Sequence, residues 1–355
     1  MENVLSFTIP FSGFCGTTFI NCFSPAYLFL EKYVYDRKVR KQCGTATCDD
    51  CGYCREDGRY FFLFDTMCGR SSLRCGFDGK LTEMERLIGE IDPYEGDTDN
   101  NIDFLFGFAG YEYRKLTAPN EFKAAIVASI DAGKPVIAKV KSGGGRFRVI
   151  TGYGGDALIC PDYTGAQNKP ETAPGYDELE ALYIFGDKIT PRYMLKEGLE
   201  RIRQVMEYNA NEKLWDGYIE KMGLYTADGL NNCDTEEKKA RMKRVAETMW
   251  HTFSCHNFAE VFRKYHNSNS AAYDEMGDMK KLRDPKYKGF LDEISACCGY
   301  THDLAWALIG LEECADWNRH AAGYFGEMVE LTLGQIAKND ARVLEIIKEL
   351  IDNLS

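Results

Sequence analysis

Four thiols fall within twelve residues as Cys43-x4-Cys48-x2-Cys51-x2-Cys54. The segment Cys48-Asp-Asp-Cys51-Gly52 has the form of a metal knuckle, in which a glycine after the second cysteine lets backbone N–H groups turn toward the sulfurs. Four thiolates close a tetrahedral structural zinc site. The run Cys48-x2-Cys51-x2-Cys54 also matches the opening of a ferredoxin-type iron–sulfur motif. It lacks the Cys-Pro that should follow, and the remaining ligand would come from Cys43, Cys68 or Cys75. Zinc is the favoured occupant, although three ligands on one tight loop crowd a single ion. The remaining reading is a Gly-rich surface loop that tolerates free thiols.

The chemistry-bearing residues are unevenly spread. Of the 14 cysteines, eight lie in the first 75 residues, whereas His251, His256, His266, His302 and His320 all lie in the last third. A Cys/His pair drawn from the N-terminal half alone is therefore impossible. His251 and Cys255 are four apart and share a helix face, but no third ligand is identifiable, and ordinary hydrogen-bonded histidines are the favoured reading. No GxGxxG, Walker loop, G-x-S-x-G or H-E-x-x-H occurs, so nucleotide, serine-hydrolase and zinc-protease chemistries have no support.

Composition narrows the classes further. A chain of 355 residues has room for two domains. Its net charge of −12 argues against general nucleic-acid binding, which needs clustered Lys and Arg. Its apolar runs are far shorter than the roughly 20 residues that span a bilayer, so no membrane association is expected. The N-terminus has no basic residue ahead of its apolar stretch and does not read as a signal peptide. The cysteines are then expected in reducing cytoplasm, as ligands, nucleophiles or buried side chains.

The elements that must position these residues are of two kinds. In the first half, Pro25–Tyr35 reads as a helix beginning nearer Cys15, Tyr60–Asp65 as an aromatic strand, and Thr82–Glu90 as a helix with a capping box. Asp92–Asn101 reads as an acidic loop, and Glu121–Ala132 as a helix stopped by Gly133. Pro135–Lys141, Arg146–Thr151 and Ala157–Cys160 read as three short strands joined by glycine-rich turns, an antiparallel meander. On the middle strand Phe147, Val149 and Thr151 share one face, and Arg146, Arg148 and Ile150 the other. The prolines between 161 and 191 mark a loop and linker. Beyond it six helices are expected: Tyr193–Asn209, Glu212–Met222, Thr235–Arg263, Tyr287–Cys297, His302–Glu330 and Leu331–Leu354, with Trp306 and Leu308 in the core. The expected architecture is α+β, with residues 1–188 as a mixed domain carrying a Cys-rich insertion at about 43–75, and 189–355 as an all-α domain.

The order of motifs across roughly residues 1–165 resembles the papain-like fold, in particular the bacteriocin-processing peptidases and the N-terminal domain of butirosin biosynthesis protein H. The carrying residues are Phe14-Cys15-Gly16-Thr17, then Gly133-Lys-Pro-Val-Ile137, Gly145-Arg-Phe-Arg-Val-Ile-Thr-Gly-Tyr153 and Cys160-Pro-Asp162. The resemblance implies that Cys15 is the nucleophile at a helix N-terminus, where free N–H groups and the helix dipole stabilise a thiolate. It implies that Asp162 is the third member of the triad.

Two parts of the pattern are missing. The family's histidine slot holds Arg146, which stays protonated and cannot accept the thiol proton. Ile9, Pro10, Phe11 and Ser12 stand where a glutamine is expected. The implied function is a cysteine-dependent hydrolase or acyltransferase relative acting on an acyl or peptide-like group of a small-molecule or peptide-like ligand, with its mechanism altered or lost through Arg146. If Cys15 has a base, then His251, His256 or His302 must supply it. The competing reading is a non-catalytic, metal-stabilised interaction protein.

Overall fold

The computed structural model describes residues 2–7, 19–32, 56–72, 99–141, 147–161, 173–211, 276–315 and 319–354, with scattered positions between 236 and 274. Among these the protein is α+β, with seven α-helices and two antiparallel sheets. The chain divides into two compact units, Met1–Phe64 with Ile88–Tyr193, and Asp65–Leu87 with Met194–Ser355.

The first unit contains β1 (Glu2–Val4), α1 (Phe19–Leu30), most of α2 (Glu56–Met67), α3 (Asp99–Ala109), β2 (Tyr111–Leu116), α4 (Pro119–Asp131), β3 (Val136–Val140), β4 (Phe147–Ile150), β5 (Gly152–Gly154), β6 (Ala157–Ile159) and β7 (Leu179–Lys188). Its larger sheet has the order β2-β7-β3-β4, and the smaller one β1-β5-β6. One face of the large sheet carries an aromatic cluster shared with α1 and α3, in which Phe23 and Phe106 pack on Phe185. The other face carries Val136, Ala138, Ile150 and Leu182, which pack with Phe122, Ile126 and Ile130 of α4 and with Tyr153 and Leu158 of the small sheet.

Local chemistry explains most of these elements. α4 opens with Pro119 in its first turn, where a missing N–H costs nothing. It ends at Gly133, whose φ of 76° few other residues adopt readily. α1 is buried at every position from Phe19 to Leu28, as an apolar helix inside a core must be, and it carries Pro25 within its span rather than at its start. One glycine permits a close backbone approach. Gly110 has φ 73°, and a Cβ there would stand 2.8 Å from the Ile189 carbonyl oxygen.

Several expectations are corrected. Tyr60–Asp65 lies inside the helix α2, not in a strand; Tyr60–Phe64 are buried on every side, and such a run has no period that separates strand from helix. Gly152–Gly154 is a strand, so the meander is two hairpins in different sheets: β3–β4 in the large one, β5–β6 in the small one. Residues 179–188, read as part of a linker, form the ten-residue β7, which pairs with both β2 and β3. The helix expected at Thr82–Glu90 lies outside the described residues.

The described part of the second unit is helical. It holds α5 (Leu195–Asn211), α6 (Lys288–Ala315), α7 (Arg319–Asn353) and the 3-10 turns Arg70–Ser72, Met279–Arg283 and Pro285–Tyr287. Gly299-Tyr300 continues α6 instead of separating two helices, and Leu331 lies within α7. Trp306, expected in the core, is 40% exposed, while Leu308 is fully buried. Arg342 grips Glu293 with Nε and Nη2 at 2.6 and 3.0 Å, joining α7 to α6. The fully buried Asp65 pairs with Arg70 and accepts Ser71 Oγ at 2.6 Å. Arg201 and Asn209 of α5 donate to the Cys68 and Ser72 carbonyls, which fixes this turn in the second unit.

Candidate functional site

Three stretches of the first unit flank the residues that the resemblance singles out. The described part of α1 opens at Phe19, four residues after Cys15; β4 opens at Phe147, one after Arg146; and β6 runs into Cys160-Pro161, just before Asp162. The structure brings these flanks together. The Phe19 ring meets Phe147 edge-on at 5.3 Å and Tyr183 at 5.2 Å, and both Phe19 and Phe147 are fully buried. α1 as a whole packs across β3 and β4.

β4 alternates as its sequence demands. Phe147 turns toward α1, and Ile150 enters the opposite core with α4. Arg148 shares the phase of Ile150, and its charge acts on Cys160. The Thr151 N–H donates to the Ile159 carbonyl at 2.8 Å, tying the end of β4 to the end of β6. The even-numbered phase of β4 therefore lies beside the segment that leads to Asp162.

Cys160 is a thiol without nucleophilic character. Burial pushes it up to about 12, and the nearby Arg148 only partly offsets that. At neutral pH about one thiol in 10⁵ would be ionised. Tyr153 is a clasp rather than a catalyst. Its hydroxyl donates to Asp131 at 2.8 Å, and Asn3 Nδ2 donates to the same oxygen at 2.8 Å. These bonds hold the Asp131 carboxyl below its ordinary range and raise the Tyr153 phenol. Beside them Lys123 pairs with Asp156 at 2.6 Å.

Cys15, Arg146 and Asp162 lie outside the described residues, as do Cys43, Cys48, Cys51 and Cys54 and the histidines His251 and His256. His302 is described: it sits on α6 with Nδ1 3.2 Å from Asp303 Oδ1 and its ring edge-on to Trp306. Among the described residues no group of three or more His, Cys, Asp or Glu side chains is arranged to hold a metal ion. No described helix is long and apolar enough to cross a membrane. Sequence reasoning missed Tyr183, because the prolines on both sides of β7 read as loop. Phe19 lies on the stretch between Cys15 and Pro25, where the sequence extends the helix without marking which residue packs on the sheet.

No family model, no curated protein and no solved structure matches this chain.

Proposed function

We propose that the first unit is a papain-like, cysteine-dependent acyl-handling domain, a hydrolase or acyltransferase relative whose proton shuttle is lost because Arg146 stands in the histidine slot. The observation that carries this reading is the contact of Phe19 with Phe147 and Tyr183. A first helix packed across an antiparallel sheet, with the cysteine just before the helix and the base slot just before the strand, is the arrangement the chemistry needs. Chain reach allows it: four residues span at most about 14 Å and one about 3.8 Å, and the reading requires Arg146, ahead of the first residue of β4, to leave the pleat that sends Ile150 toward α4 and away from α1.

In this reading Cys15 ionises through the helix dipole and the Arg146 charge, not through a base. Its thiolate attacks a substrate carbonyl, forming the S–C bond as the leaving group departs with the bonding electron pair. The leaving group takes its proton from solvent, since a guanidinium cannot deliver one at useful pH. Asp162 orients Arg146, or yields it to a substrate carboxylate through a two-pronged pair. Such chemistry suits activated acyl groups, thioesters or esters, whose leaving groups need little protonation. The ligand is small or peptide-like and the compartment a reducing cytoplasm, which keeps Cys15 available.

The test is acyl capture. The protein is incubated with a small thioester, and adducts are mapped by peptide mass spectrometry. An acyl group on Cys15, absent from Cys15→Ser, is expected. Acylation spread evenly over exposed cysteines would overturn the reading.

A further inference from the structure

In a chain of net charge −12, the segment from Met279 to Lys288 carries Lys280, Lys281, Arg283, Lys286 and Lys288; Arg283 pairs with Asp274 at 2.6 Å and Lys288 with Asp292 at 2.8 Å, which leaves the lysines at the turns as the available cations. Two consecutive 3-10 turns, Met279–Arg283 and Pro285–Tyr287, present these side chains. The turns are rooted by Met279, Leu282 and Tyr287, all buried, so their backbone is fixed by the core. Asp284 caps the second turn, accepting the Lys286 N–H at 3.0 Å. Between the turns and the end of α7 lies an open cleft of about 360 Å³, lined by Lys280, Lys281, Asp284, Lys286, Tyr287, Asn353 and Leu354.

Lysines beside a helix C-terminus are often there for its unpaired carbonyls. Here most of those carbonyls already have donors. Tyr287 Oη donates to the Asn353 carbonyl at 2.8 Å, the Leu354 N–H to those of Leu350 and Ile351 at 3.1 and 3.2 Å, and Asn353 Nδ2 to that of Glu349 at 2.7 Å. The lysines are not needed as caps. Lys281 is held by Asp278 at 2.5 Å, and Lys286 lies over the Tyr287 ring at 4.6 Å, 4.0 Å from Asp284. Among the described residues Lys280 has no acidic partner.

We propose that this cleft binds a small phosphate-bearing ligand. Lysine ammonium groups serve phosphate as mobile point charges. The cleft volume lies within the range of small-molecule sites. The acidic remainder of the chain disfavours an extended polyanion such as nucleic acid or an anionic membrane, because beyond about 8 Å of screened reach such a partner meets like charge. A compact anion needs only Lys280 and Lys286, which line the cleft and have no carboxylate closer than 4.0 Å among the described residues.

The probe is inorganic pyrophosphate, titrated calorimetrically into the full chain at low salt, against sodium chloride of equal ionic strength. Saturable binding of one equivalent is expected. The double variant Lys280→Ala/Lys286→Ala, which removes two exposed side chains, should bind about tenfold more weakly. Lys280→Gln alone keeps the test open if the double variant does not fold; it should weaken binding about threefold. A pyrophosphate signal no larger than the chloride control would overturn the proposal. So would unchanged affinity in Lys280→Gln, or binding to phosphatidylserine vesicles without binding to pyrophosphate.

Discussion

The rings of Phe19 and Phe147 meet edge-on with centroids 5.3 Å apart, although 128 positions separate them in the chain. One stands at the described start of the first helix and the other at the start of a sheet strand. Both are fully buried, and Phe19 also touches Phe23, Phe106 and Tyr183. Replacing either by Ala removes a buried ring and leaves a cavity, at a cost of about 3–5 kcal/mol. A double-mutant cycle should return a coupling of about 0.5–1.5 kcal/mol, the value for a direct aromatic pair. Denaturant unfolding of the four proteins provides the measurement; zero coupling would mean that the rings do not touch.

Gly110 and Gly133 separate two kinds of glycine requirement. Both have positive φ, 73° and 76°, but a Cβ at Gly110 would meet the Ile189 carbonyl oxygen at 2.8 Å, whereas Gly133 has open space. Gly133→Ala should cost about 1–2 kcal/mol, the backbone penalty alone. Gly110→Ala should cost about 1–3 kcal/mol more, because the strand end must move. Equal losses in thermal or denaturant unfolding would contradict the β2–β7 geometry.

Cys160 predicts a pH dependence whose sign follows from its burial. Its thiol is raised from 9.0 to about 12, so the native state keeps a proton that the unfolded chain loses first. Stability falls wherever the native state binds more protons as pH rises, so this group's contribution is lost between pH 9 and about 12. Cys160→Ser and wild type should therefore converge in stability as pH rises through that window. Arg148→Ala removes a positive charge that favours the thiolate, so alkylation of Cys160 at pH 9 should slow further. A faster rate would show that Arg148 does not act on the sulfur.

We also propose that Cys43, Cys48, Cys51 and Cys54 hold a structural zinc ion. Protein purified reduced and without added metal should then contain close to one equivalent of zinc, since four thiolates bind it tightly. Double replacement of Cys48 and Cys51 by Ser should abolish it. Less than about 0.2 equivalents of zinc and iron together would leave the cluster as free thiols.

The fold was legible where residue chemistry is local. Gly133 marks the end of α4, although its start at Pro119 lies two residues ahead of the Glu121 that the sequence suggests, and the strand-like runs Val136–Val140 and Phe147–Ile150 mark a hairpin. It was illegible where tertiary burial overrides the local signal. Tyr60–Phe64 offers no polar face to reveal its helical period, and the course of α1 is obscured because Pro25, a residue favoured at helix starts, lies inside its span. β7 was lost because prolines at 161, 170, 174 and 191 surround it without entering it. The candidate site is a reading from an order of motifs, cysteine, strand and Pro-Asp, whose Cys15, Arg146 and Asp162 lie outside the described residues. The partners that flank it were not legible, because Phe19, Tyr183 and Arg148 gain their roles only when distant segments meet.

The central claim is that Cys15 is an activated thiol beside a cationic Arg146. The most direct measurement is the rate of iodoacetamide labelling of each cysteine at pH 6, mapped by peptide mass spectrometry, in wild type and in Arg146→His. The account predicts that Cys15 labels at least about tenfold faster than a model thiol, because a lowered pKa leaves more thiolate. Cys160 should stay unlabelled, and Arg146→His should raise the Cys15 rate further by supplying an imidazolium partner. Cys15 labelling no faster than a model thiol, unchanged by Arg146→His in folded protein, would contradict it.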